Sequence, residues 1–240
     1  MKNVLITGGS RGIGKELVRV FSERGCAVAF TYKNSHQSAA KLTEQYGALA
    51  IRCDLENEQD IIAAVSMARG YFGERGIDVL INNAAISEIK MFVDITTEDW
   101  ARMMSVNLTA PYIFCREVQA DMIRKKDGRI INVSSMWGQV GASCEVHYST
   151  AKAGLIGMTK ALAKELGPSN ITVNAVAPGV IDTEMNAHLT RGELEMLKDE
   201  IPLMRLGTPS EVAELVFFLS GESSAYITGQ VLAPNGGMVI

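Results

Sequence analysis

Ser135, Tyr148 and Lys152 lie in one stretch, SSMWGQVGASCEVHYSTAKAG, and between them carry a hydroxyl, a phenol and an ammonium. Tyr148 and Lys152 are four residues apart, so a helix would set both on one face. Ser135 follows the β-branched run Arg129–Ser134, which places it at the carboxyl end of a strand. Groups of these three types converging on a crevice can hold and pass a proton at a polarised oxygen. A second chemical stretch, TGGSRGIGKE, follows the apolar residues Val4, Leu5 and Ile6 and is of the kind that cradles phosphate.

That turn has two readings. From Gly9 it runs G-x-x-x-x-G-K, but a nucleoside-triphosphate loop needs a hydroxyl after its lysine to hold magnesium, and Glu16 stands there instead. From Gly8 it runs G-x-x-x-G-x-G, with Gly8, Gly12 and Gly14 permitting a tight turn and close approach of a pyrophosphate to the amides of a helix start. The dinucleotide reading fits better. Sites that choose NAD place an acid about 20 residues further on, against the adenosine ribose. Between Glu23 and Glu44 there is no acidic residue, and the second strand ends Thr31-Tyr32-Lys33. Ser10, Arg11 and Lys33 are expected to hold a 2′-phosphate, so the expected cofactor is NADP(H).

The elements that must position these groups alternate along the chain. Asn3–Thr7, Ala27–Tyr32, Leu49–Cys53, Val79–Asn82, Arg129–Ser134, Thr172–Ala177 and Gln230–Ala233 read as strands. Gly12–Arg24, Gln37–Tyr46, Glu58–Phe72, Glu98–Lys125, Tyr148–Leu166 and Pro209–Leu219 carry apolar residues at helical spacing. Gly25 and Gly47 follow two of the helices, and Thr97 is placed to cap the one beginning near Glu98. Such alternation implies an α/β chain with a parallel sheet and helices on both faces, and ligands then gather beyond the carboxyl ends of the strands.

Composition narrows the function. The 240 residues suffice for one domain with a well-buried core, and 23 basic against 27 acidic residues, interspersed, leave no basic face for nucleic acid. No run approaches membrane-spanning length and the opening segment is too short for a signal-peptide core, so a soluble cytoplasmic protein is expected. Cys26, Cys53, Cys115 and Cys144 are widely spaced, which suits reduced thiols rather than disulfides or a zinc site, and no metal is expected. Cys144 and His147 form a competing nucleophile–base pair, without any evident oxyanion motif or orienting acid beside them.

Taken together, the motifs resemble those of the short-chain dehydrogenase/reductase family from end to end: Thr7-Gly8-x-x-x-Gly12-x-Gly14, Asp54, Asn82-Asn83-Ala84, Asn107, Ser135, Tyr148-x-x-x-Lys152, and Pro178-Gly179 followed by Thr183. Ala85 departs from the glycine usual in that family and is expected to narrow the cofactor cleft without closing it. The resemblance implies a single doubly wound Rossmann domain over residues 1–240, with a mostly parallel seven-stranded sheet flanked by helices and a substrate lid at about 180–204. It implies Tyr148 as proton donor to a carbonyl, Lys152 as the cation that eases phenolate formation and holds the nicotinamide ribose, Ser135 as donor to the carbonyl oxygen, and Asn107 in a water-mediated proton path. The cofactor would be held at the turn by Gly8, Ser10, Arg11, Gly12, Ile13 and Gly14, and at the second strand by Tyr32 and Lys33. Asp54 and Leu55 would contact the adenine, Asn83 and Ala84 the ribose region, Tyr148 and Lys152 the nicotinamide ribose, and Pro178, Gly179, Ile181 and Thr183 the nicotinamide.

Within that family, Ser10-Arg11, AKAGLIGMTKALAKELG and YITGQVLAPNGG resemble bacterial 3-oxoacyl-[acyl-carrier-protein] reductases. The acyl carrier protein is then an expected partner, with Lys126 at one basic docking position and Ser169 at the second. Similar SSMWGQVGASCEVHYS loops occur in reductases of a ketone built onto a protein lysine during elongation-factor modification, which leaves that substrate open alongside small diketones and sugars. A dinucleotide-binding sensor is the non-enzymatic alternative, and Ser135, Tyr148 and Lys152 argue against it. Substrate selection is expected from Ile86–Phe92, Met136–Cys144 and Val180–Met204, with Met136, Trp137, Val140, Met185, Leu189 and Met204 lining an aliphatic groove, while His36 and His188 are expected at the surface or in the lid. The resemblance also implies a homotetramer built on the long helices and on the apolar ending Met238-Val239-Ile240.

Overall fold

A computed structural model of the chain describes residues 1–184 and 190–240. Seven strands form one sheet: β1 (Asn3–Ile6), β2 (Ala27–Tyr32), β3 (Leu49–Arg52), β4 (Val79–Asn82), β5 (Gly128–Val133), β6 (Ile171–Val176) and β7 (Val231–Leu232). Their spatial order is β3-β2-β1-β4-β5-β6-β7, and every neighbouring pair is parallel. The expectation of a mostly parallel sheet thus becomes, among the described residues, a wholly parallel one.

Side chains alternate across this sheet with the two-residue period of a strand. Val4, Ile6, Val79, Ile81, Ile131 and Val133 face one apolar layer, while Leu5, Leu80 and Ile130 face the other. Helices α1 (Gly12–Glu23), α2 (His36–Tyr46) and α9 (Pro209–Ser220) cover the first face through residues such as Leu17, Phe21, Leu42 and Val216. On the second lie α3 (Glu58–Phe72), α5 (Ala110–Lys125) and α7 (Val146–Leu166), packed through Ile61, Val65, Phe114, Val118 and Leu166. With both faces buried, β1, β4, β5 and β6 are near-continuous apolar runs, as a parallel sheet requires.

Three shorter helices complete the set: α4 (Thr97–Met104), α6 (Trp137–Val140) and α8 (Arg191–Asp199). The single helix expected over Glu98–Lys125 is interrupted. A π-turn at Ser105–Thr109 separates α4 from α5, and Pro111 stands in the first turn of α5. Proline has no amide to give the carbonyl four residues back, here that of Asn107, so the ladder must change register at that point. The cap of α4 is Thr96 rather than Thr97: its hydroxyl accepts from the Asp99 amide while the Asp99 carboxylate accepts from the Thr96 amide.

The chain winds outward from β1 to β3, then crosses to β4 and winds the other way. At such a switch the turns after β1 and β4 diverge and leave a crevice. Helix α7 is locked to the sheet below that crevice by a buried chain of hydrogen bonds: Asn82 Nδ2 donates to Asn132 Oδ1 (2.9 Å), and Asn132 Nδ2 donates to the Thr159 hydroxyl (2.9 Å). Replacing Thr159→Val removes the acceptor and leaves a buried amide unpaired. Urea unfolding is expected to show a loss of about 1–3 kcal/mol; an unchanged midpoint at unchanged slope would remove this bond from the account of how α7 is held.

Candidate active site

The crevice is a cleft of about 930 Å³ that runs from the first two strand ends to α7. Its walls include Gly8, Ser10, Arg11, Gly12, Ile13 and Gly14 from the turn after β1, and Tyr32, Lys33, Asp54 and Leu55 from the ends of β2 and β3. Asn83 and Ala84 follow β4, Ser135 follows β5, Tyr148 and Lys152 come from α7, and Pro178, Gly179, Ile181 and Thr183 follow β6. Every residue expected from the sequence to hold the cofactor is brought to this one surface.

The turn after β1 is shaped for close approach. A Cβ on Gly14 would lie 2.0 Å from the Gly8 carbonyl oxygen, and one on Gly8, where φ is +67°, would lie 2.8 Å from Ala84 Cα. Asn83 fastens the turn to β4: its side-chain amide donates to the carbonyls of Thr7 (3.0 Å) and Gly8 (3.2 Å), while the Thr7 hydroxyl accepts from the amides of Asn83 (3.0 Å) and Ala84 (2.9 Å). Asn83 therefore builds the cradle as well as lining it. Arg11 precedes α1 without a side-chain cap, and the first turn of α1 holds no acid, so the helix start presents uncompensated amides to the cleft. These features fit a dinucleotide pyrophosphate. Ala85 also lines the cleft, and its methyl leaves the volume open.

At the far end of β2, Lys33 is already engaged. Its ammonium pairs with Asp54 (2.8 Å) and Glu56 (3.0 Å), and Arg102 approaches Glu56 at 3.6 Å. These pairs are largely exposed and individually weak. Glu56 and Arg102 were not anticipated, since nothing local in the sequence marks them; they are 46 residues apart and meet only in the fold. Arg11, which lines the same cleft, stands exposed.

The proton-handling groups occupy the inner end. The Tyr148 phenol and the Ser135 hydroxyl line the cleft close enough for Ser135 to favour the phenolate, and the Ser135 oxygen accepts from the Trp137 amide at 3.1 Å. Burial pushes the Tyr148 phenol up to about 12, opposed by the Ser135 hydroxyl and reinforced by the negative charge of Glu145. Lys152 is 2% exposed; its ammonium donates to the Val133 carbonyl at 2.8 Å and lies 5.7 Å from the centre of the Tyr148 ring. Burial lowers its pKa to about 8. The Ser134 hydroxyl donates to the Lys152 carbonyl (2.9 Å), adding a second tie between α7 and the end of β5.

Asn107 is not a wall of the cleft. It is fully buried in the π-turn, where its Oδ1 accepts from the Ile86 amide (3.0 Å) and its Nδ2 donates to the Ile86 carbonyl (2.8 Å). Its side chain thus fixes the loop that forms one wall of the substrate end. Of the expected aliphatic groove, Met136 and Trp137 line the cleft, whereas Val140 (59% exposed) and Met204 (61%) are not among its walls. Met185, His188 and Leu189 lie outside the described residues. The Cys144–His147 pairing is not formed: Cys144 Sγ faces Met91 Sδ at 3.4 Å, and both ring nitrogens of the buried His147 lack a hydrogen-bond partner. Burial pushes Cys53 and Cys115 up to about 12, so neither is a nucleophile. Among the described residues no group of three metal-ligating side chains occurs, and no helix is long and apolar enough to cross a membrane.

Comparison with known proteins agrees with this geometry. A family model described as enoyl-(acyl carrier protein) reductase matches residues 8–239. The chain is 41% identical over 239 residues to the 3-oxoacyl-[acyl-carrier-protein] reductase FabG of Aquifex aeolicus, covering 98% of this chain and 96% of the relative. It is 39% identical to the uncharacterized oxidoreductase YmfI of Bacillus subtilis, with 98% of both chains covered, and 38% identical to FabG of Vibrio cholerae, covering 99% and 97%.

The buried ammonium is a cost to folding that can be measured. Below pH 8 the lysine carries its proton in both folded and unfolded chains, and the folded state bears the full desolvation penalty. Between pH 8 and the ordinary value of 10.5 the penalty fades, and above that it is gone. Lys152→Met is therefore expected to stabilise the protein by about 1–3 kcal/mol at pH 7 and not at pH 10.5, by urea unfolding at both pH values. No gain at pH 7 would show that the ammonium is not desolvated.

Proposed function

The chain belongs to the short-chain dehydrogenase/reductase family, and on that premise we propose that it is an NADPH-dependent ketoreductase whose substrate is a 3-oxoacyl group on an acyl carrier protein. The observation that carries the reading is the convergence of the Tyr148 phenol and the Ser135 hydroxyl on one point at the inner end of the cleft. Two donors aimed at a single oxygen suit addition of hydride to a carbonyl, where that oxygen becomes an alkoxide and must be protonated.

Bound in the cradle after β1, the nicotinamide dinucleotide supplies the hydride. Ser135 donates a hydrogen bond to the carbonyl oxygen as negative charge gathers there. Tyr148, kept protonated by burial, gives its proton to that oxygen. The Lys152 ammonium, charged below about pH 8, then lies close enough to offset the phenolate that Tyr148 becomes. Held by the Val133 carbonyl, it keeps one orientation through the cycle and presents its remaining hydrogens to the nicotinamide ribose. Asn107 acts as a positioning residue, setting the Ile86 wall against which the substrate lies.

NADP(H) is preferred over NAD(H) in this reading because the pocket offers Ser10, Arg11 and Lys33 to a 2′-phosphate. Arg11 carries most of the selection, since Lys33 is shared with two carboxylates. The carrier protein would meet an exposed Lys126, but Ser169 puts a hydroxyl where a second cation is expected, and Asn170 beside it is hydrogen-bonded to the Lys126 carbonyl (3.1 Å). Docking through one cation implies a weak, salt-sensitive complex. A cytoplasmic homotetramer is part of the same proposal, with the exposed Tyr112, Tyr226 and Ile240 as apolar surface for association.

Tyr148→Phe is expected to lower kcat for reduction of a 3-oxoacyl thioester by at least ~10²-fold while dinucleotide binding, followed by fluorescence, is retained; undiminished turnover would remove Tyr148 as the acid. Arg11→Ala is expected to raise the KM for NADPH by ~10-fold or more and leave that for NADH nearly unchanged. An equal loss for both would place the 2′-phosphate elsewhere.

A further inference from the structure

Lys33, Asp54, Glu56 and Arg102 meet at the adenosine end of the cleft, and they are not equally held. Asp54 is fixed by its own turn: its amide donates to Asp60 Oδ2 (3.1 Å) and its Oδ1 accepts from the Glu56 amide (3.1 Å). The Glu56 carboxylate is held only by cations among the described residues, and both approach the same oxygen, Oε1. Lys33 reaches it at 3.0 Å while also pairing with Asp54 at 2.8 Å. Arg102 stands off at 3.6 Å, beyond hydrogen-bond reach, and has no other ion-pair partner among the described residues.

Two cations and two carboxylates cancel. A phosphate monoester carries about −1.5 to −2 charge at pH 7, so it gains nothing from this group while Lys33 stays on its carboxylates, and it is repelled by both of them. For Lys33 to serve a 2′-phosphate it must turn away from Glu56. That exchange is open, because exposed ion pairs are weak whereas a charge-assisted bond to phosphate is strong. Asp54 is tied to backbone and cannot follow its cation. Glu56 can, since nothing but charge holds its carboxylate and an uncommitted guanidinium stands beside it.

We propose that Glu56 limits the affinity of the cleft for a 2′-phosphate by competing with it for Lys33, and that Arg102 is a positioning residue that draws Glu56 aside and frees Lys33. With Glu56 moved onto Arg102 those two charges cancel, leaving Lys33 and Arg11 to face the phosphate. A residue of this kind is a specificity determinant that acts by opposition: it weakens the phosphorylated dinucleotide and leaves the unphosphorylated one untouched. Selection for NADP(H) is thereby held below what the cations alone would give. The inference deepens the NADP(H) reading above and rests on it.

The test reads binding rather than turnover, by titration calorimetry of the full chain at low salt with NADP⁺ and NAD⁺, which differ only in the 2′-phosphate. Glu56→Gln keeps the size of the side chain and removes its charge; it is expected to tighten NADP⁺ by ~3- to 10-fold and to change NAD⁺ by less than about twofold. Arg102→Gln is expected to weaken NADP⁺ by ~3-fold or more, and to lose most of that effect when combined with Glu56→Gln. Unchanged NADP⁺ affinity in Glu56→Gln, or an equal change for both dinucleotides, overturns the role of Glu56. An Arg102 effect of the same size in both backgrounds overturns the relay, because Arg102 would then act on the phosphate itself. If the wild-type protein separates the two dinucleotides and Glu56→Gln alters neither, this inference fails alone; if neither protein separates them, the NADP(H) reading beneath it fails as well.

Discussion

An ammonium held out of water against a backbone carbonyl is the constraint on which the rest of this structure turns. Lys152 gives one hydrogen to the Val133 carbonyl at the end of β5, and the Ser134 hydroxyl returns a bond to the Lys152 carbonyl. Those two ties, with the Asn132–Thr159 bond lower down, set the rotation and height of α7 over the strand ends. Tyr148 is one turn along the same helix, and Ser135 is two residues beyond Val133 on the same strand end. Locking α7 to β5 is therefore the same act as bringing phenol to hydroxyl. The desolvation that burdens Lys152 is the physical cost of that alignment.

The cofactor half depends on a different constraint, the absence of side chains. Gly8 and Gly14 meet so closely that any Cβ would collide with backbone, and Asn83 and Thr7 stitch their turn to the neighbouring strand. The result is a concave edge with helix-start amides facing inward, a shape and polarity that fit phosphate. In the proposed reading, selection between cofactors falls to exposed groups at the rim, Arg11 and the Lys33–Asp54–Glu56 group, whose charges are screened by salt.

Much of this was legible in the sequence because a parallel sheet buried on both faces writes itself as short β-branched runs separated by helical periodicity. All seven strands are marked that way, to within about two residues at each end. The place of the cofactor cleft, beyond the strand ends, was legible for the same reason, while the individual residues lining it came from the resemblance to the short-chain dehydrogenase/reductase family. What was missed has specific causes. The break in the helix expected over Glu98–Lys125 had a signal in Pro111, whose effect on the Asn107 carbonyl needs the ladder to be counted. Helix α8 is polar and short, though its Thr190-x-x-Glu193 capping box marked its start. The hydrogen bonds of the Asn107 side chain to Ile86 were not anticipated, because that partner is set by packing between distant segments.

Burial, rather than the neighbouring ammonium, governs Tyr148 in the protein without substrate. Titration of the Tyr148 ring by the ¹³C shift of its Cζ, assigned by comparison with the phenylalanine variant, measures this directly. A midpoint well above the ordinary 10, near 12, is the predicted result. A midpoint at or below 10 would contradict it, because the phenol would then be solvated or dominated by Lys152, and the alignment of α7 on β5 would not have produced the protonated donor on which carbonyl reduction here depends.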